Sequence, residues 1–72
     1  MSTGYSGDKI HDDATARAEN TRQTAVAAAT TQAAIITAEV SFHRAVVKSA
    51  LSRGISPSAS MSALRELGVT GQ

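Results

Sequence analysis

The chain has 72 residues, a formal net charge of +1, no cysteine or tryptophan, and only Tyr5 and Phe42 as aromatic side chains. One small domain is the upper limit; disulfides and thiolate metal sites are excluded, leaving oligomerisation as the staple for an alanine-dominated core. Acidic and basic residues are interspersed, without the basic footprint of a nucleic-acid binder or the Lys/Arg-rich face of a membrane-surface helix.

Residues 1–7, MSTGYSG, read as a flexible polar leader without the basic and apolar regions of a classical signal peptide. Asp8 is placed to cap a helix, and Asp12 and Asp13 add the negative charge that first turns favour. From residue 9 to residue 53 there is no Pro or Gly. The span therefore predicts one unbroken helix, a rod of about 65 Å at 1.5 Å per residue. Its first third carries no large apolar residue after Ile10, so that part is expected to fray in the monomer and order in an assembly. The uncharged stretch between Arg22 and Glu39 is interrupted by threonines and Gln32. It is too polar and too short to span a bilayer.

Placed at 100° per residue, this rod shows two apolar stripes. Val26, Ala29, Ala33, Ile36, Val40, Val47 and Leu51 form one; Ala28, Ile35, Phe42 and Val46 form the other. One stripe has an intramolecular use, and the second calls for another molecule. Val26, Ile35, Ile36, Val40, Phe42, Val46, Val47 and Leu51 are the candidate subunit-interface residues, with Ala28, Ala29, Ala33 and Ala34 allowing close helix approach. Thr37, Ser41, Arg44, Lys48 and Ser52 form a narrow polar sector, in which Arg44 and Lys48 would face a lumen or solvent. Glu39 and His43, four residues apart, are a candidate pH-sensitive pair within an interface; the plainer reading is an exposed helix pair.

Gly54 is a helix stop, residues 54–56 a turn, Ser56 an N-cap and Pro57 a first helical residue. A short helix over about 57–67 puts Met61, Leu64 and Leu67 on one face, and 68–72 forms a tail. The expected fold is all-α: a long helix with a short one folded back as a lopsided hairpin. His11, Asp12 and Asp13 diverge around a helix, so no metal site is read there. The serines at 56, 58, 60 and 62 have no histidine or acid arranged for nucleophilic work, and no phosphate-cradling glycine loop is present. No cofactor, metal or enzymatic activity is expected.

The leader MSTGYSG, the helix QAAIITAEVSFHRAVVKSAL and the small cysteine-free chain resemble the filament subunits of type III secretion systems. Texture and size resemble the plant-associated branch most closely, the Hrp pilins and the rhizobial nodulation outer protein A. Unlike the needle branch, the chain turns late, at Gly54-Ile55-Ser56-Pro57, and has Tyr5 rather than an N-terminal tryptophan. The resemblance implies export from the cytoplasm, homo-oligomerisation into an extracellular filament, and contact with the secretion apparatus and exported effector proteins. It implies a helical tube that conducts those effectors. The alternative is a small helical adaptor or regulator that offers its stripes to a different protein. A closed coiled coil fits less well, because the stripes do not keep a strict heptad.

Overall fold

The computed structural model describes residues 8–68, which fold into three helices: α1, Lys9–Ala28; α2, Gln32–Ser52; and α3, Ser58–Glu66. There is no strand among the described residues, so the all-α expectation holds. The leader and the tail beyond Gly68 lie outside the described residues.

α1 starts as its sequence dictates, with Asp8 Oδ1 accepting the His11 amide at 3.0 Å. It does not run on to residue 53. Ala29 turns out to extended geometry (φ −71°, ψ 137°). Thr31 (φ −135°, ψ 158°) then restarts the helix, its Oγ1 accepting the Ala34 amide at 3.1 Å. A threonine hydroxyl competes for backbone amides and is stabilising at a helix start, whereas its branched side chain loses rotamer freedom inside a helix. The absence of Pro and Gly is therefore no proof of continuity. Instead of a rod of about 65 Å, the described residues span 35 Å at their longest.

The reversal lays α1 antiparallel on α2. Arg53 Nε reaches Asp8 Oδ2 at 3.1 Å, His11 Nδ1 meets Ser49 Oγ at 2.8 Å, and Arg22 Nη1 meets Glu39 Oε2 at 3.1 Å. The first third of the expected rod is thus helical and lies on α2 within the single chain. It docks through polar side chains where large apolar ones are missing.

α2 ends on a Schellman motif: the Gly54 amide donates to Leu51 O at 3.2 Å and the Ile55 amide to Ala50 O at 2.8 Å. Gly54 has φ 71°, the left-handed conformation the motif needs. Pro57 occupies the N-cap position of α3 rather than its first turn, and no side chain caps that helix; Ser56 does not act as expected. α3 packs on α2 and buries Leu64, with Leu67 half-buried and Met61 partly exposed, at 39%. The long-plus-short hairpin is replaced by a hairpin of two comparable helices with a short third helix laid on α2.

Ala38, Ala50 and Leu64 are the buried apolar residues among those described, joined by His11 and Ser60. Alanines allow close helix approach but remove little apolar area from water. Because nothing lies within 4 Å of a Cβ built on Gly54, replacing it with alanine meets a backbone cost alone. Gly54→Ala is expected to lower unfolding stability by about 1–2 kcal/mol, read from urea denaturation. An unchanged midpoint would show that the left-handed turn is not required.

Candidate functional site

The bend brings two rows of small residues face to face. Ala18, Ala25 and Ala28 of α1 stand opposite Ala34, Ala38 and Ala45 of α2, around an open groove of about 660 Å³. Its spacing on each helix follows the three-to-four-residue repeat of a single face. Thr37 and Ser41 line the same groove. The single-rod projection put them in the solvent sector, and the doubling-back of α1 changes what that sector meets.

Arg22 and Phe42 stand together in the groove wall. Arg22 Nε donates to Glu19 Oε1 at 2.9 Å, its Nη2 pairs with Glu19 Oε2, and its Nη1 reaches Glu39 on α2. The guanidinium carbon also sits 5.9 Å from the Phe42 ring centroid. One planar cation thus satisfies two carboxylates on two helices while covering an aromatic face. The Phe42 ring meets the His43 ring edge-on, centroids 4.9 Å apart.

A second hollow of about 370 Å³ lies where α1 meets α2 and the Ile55–Pro57 connection, bordered by His11, Thr15, Val46 and Ser60. His43 Nδ1 lies 3.2 Å from Ser60 Oγ, so that each histidine ties a neighbouring helix to α2 through a serine. His11 and Ser60 are both buried, which suits a clasp between helices better than a nucleophile approached by substrate. Among the described residues, no group of three His, Cys, Asp or Glu side chains is positioned to hold a metal ion. No described helix is long and apolar enough to cross a membrane.

The predicted site residues divide by this geometry. Val26, Ile35, Ile36, Val40, Phe42, Val46 and Val47 are half-buried within the chain, and Leu51 is exposed. Arg44 and Lys48 are exposed. Glu39 and His43 are each engaged by a different helix, Glu39 by Arg22 and His43 by Ser60. Sequence reasoning missed Arg22 as the hub. Its three-residue spacing from Glu19 was readable as a helix pair, but the contact with Glu39 exists only because the chain turns between them.

Comparison with protein-family models, with curated proteins and with solved structures finds no match.

The ion pairs carry a pH signature. The His11 amide, with Arg53 beside it, holds the Asp8 carboxyl below its ordinary value of 3.8. Arg22, with help from Gln23, holds Glu19 below 4.5, and Glu19 in turn raises Arg22. Carboxyls whose native pKa is depressed contribute stability that is complete above their unfolded values and is lost as pH falls through the native ones. The melting temperature is expected to stay level down to about pH 5 and to fall below about pH 4, with a shallower acid limb in Glu19→Gln.

Thr15 Oγ1 is buried without a hydrogen-bond partner. Thr15→Val keeps the branched shape and removes the orphan hydroxyl, so it should stabilise the fold by about 1 kcal/mol in denaturant titration; a loss of stability would mean that the hydroxyl is solvated in solution.

Proposed function

We propose that this chain is a structural subunit that assembles with copies of itself, and that its specific form is the subunit of a type III secretion pilus. The observation that carries the assembly reading is the apolar surface left open by so small a core. Ile10 is 60% exposed and Leu51 64%, both at the end of the hairpin where Asp8 meets Arg53, and the alanine groove stays open in the α1–α2 layer towards the other end, next to the Ala29–Thr31 turn. A monomer with three deeply buried apolar side chains gains most from covering such surface with another subunit. Unlike patches that meet head to tail do not close, and repetition gives a helical filament. The pilus form, an exported filament conducting effector proteins outside the cell, rests on the resemblance of leader and helix texture.

The adaptor reading draws on one observation, the groove of about 660 Å³ with its alanine floor and the Arg22–Phe42 wall. A guest helix with small apolar residues at three- and four-residue spacing suits that shape.

Negative-stain electron microscopy and sedimentation of the concentrated protein test the first reading. Wild type is expected to form sedimenting filaments, whereas Leu51→Asp stays in the supernatant with unchanged helical circular dichroism. Leu51 is preferable to Phe42 for this purpose, because Phe42 also serves the internal Arg22 contact. Filaments of normal yield from Leu51→Asp would remove that residue from the interface, and a wild type that stays monomeric at every concentration would favour the adaptor.

A further inference from the structure

We infer that copies of the chain stack face to back: the groove of one copy, flanked by Arg17, Arg44 and Lys48, receives the outer side of α1 of the next copy. This deepens the assembly reading, on which it rests, by naming the two unlike patches that meet.

The net charge of +1 hides a separation of charge across the hairpin. The register set by Asp8–Arg53 and Arg22–Glu39 places Arg17 level with Arg44. Helical spacing carries the groove-lining stripe of Thr37 and Ser41 on to Arg44 and Lys48, and it puts Arg17 one turn before Thr21. All three cations are exposed, and among the described residues none of them lies in an ion pair. The groove is an apolar floor with a basic rim on each helix.

The opposite side of the hairpin has the other sign. Asp12, Ala16, Glu19 and Asn20 border a shallow hollow of about 350 Å³ there. One cation, Arg22, serves both Glu19 and Glu39, so that cluster carries an excess of negative charge. Ala16, Asn20, Gln23 and Ala27 are all exposed and recur at three- and four-residue spacing. Their stripe lies about half a turn of the helix from the groove-lining Ala18 and Ala25. Its side chains are short enough for a helix to enter a groove, and Asp12, Asp13 and Glu19 flank it.

Groove against groove would set Arg17, Arg44 and Lys48 against their own copies, and like charges across a contact repel. Groove against the outer side of α1 does the reverse. With the hairpins parallel and in register, Asp12, Asp13 and Glu19 of one copy come to the level of the three cations of the other. Ile10 and Leu51 continue the stripes of Arg17 and Arg44 to the end of the hairpin, so the same contact covers the exposed apolar pair. Each copy keeps one unused groove and one unused α1, and the stack does not close.

Two charge variants of the full chain test the pairing. Arg17→Glu with Arg44→Glu makes the groove rims acidic, and Ala16→Arg with Asn20→Arg makes the outer side of α1 basic. All four positions are exposed, so helical circular dichroism should be unchanged. Each variant alone is expected to need about tenfold more protein than wild type to sediment. An equal mixture is expected to restore sedimentation, because every acidic face then meets a basic one on the other variant. Unimpaired variants, or a mixture that fails to recover or stops at dimers, would overturn the stacking and leave self-assembly standing. A wild type that never sediments overturns both. Cysteine pairs give a second reading in this cysteine-free chain. Ser41→Cys in the groove and Asn20→Cys on α1 should be joined by a short bismaleimide only when mixed under assembling conditions. Cross-links formed by either variant alone, and none between the two, would again overturn the stacking.

Discussion

A single hydrogen bond, from the Ala34 amide to Thr31 Oγ1, starts the second helix, and the rest of the molecule is arranged around the reversal that precedes it. Once α2 begins at Gln32 with the chain doubled back, α1 lies antiparallel along it, and that direction determines which side chains meet. Asp8 finds Arg53, His11 finds Ser49, and Arg22 finds Glu39. The hydroxyl that holds the turn contributes no more than an ordinary cap does, about 1 kcal/mol. A large choice of architecture therefore hangs on a small local preference, backed by contacts spread along two helices.

Those contacts are unusual in kind for a hairpin. α1 offers alanine, threonine and charged residues to its neighbour, so close approach is easy and apolar burial is small. Polar clasps supply the register instead. The two histidine–serine contacts tie α1 and α3 to α2, and the Arg22 fork ties two carboxylates across the pair. Exposed ion pairs stabilise little in water, yet they discriminate well between registers, because a slip along the helix separates every pair at once. The molecule has a well-specified geometry on a thin core.

Thin cores and open apolar faces point in the same direction. The small interior leaves Ile10, Leu51 and the alanine groove facing outward, surface that a second subunit can cover.

Much of the local structure was legible in the residues themselves. The Asp8 cap, the Gly54 stop, the short third helix with Leu64 inward and the all-helical character follow from side-chain chemistry acting within a few residues. So does the surplus of apolar surface, since alanine-rich stripes with little bulk cannot make a large core. Tertiary structure alone decided where the long helix breaks. Helix continuation and a threonine cap are close in energy at Thr30–Thr31, and the balance is tipped by what α1 gains from lying on α2. For the same reason the role of Arg22, the engagement of Glu39 and His43 by different helices, and the groove beside Thr37 and Ser41 were invisible in a straight projection. Each depends on residues far apart in sequence, whose meeting is a property of the folded chain and of no segment of it.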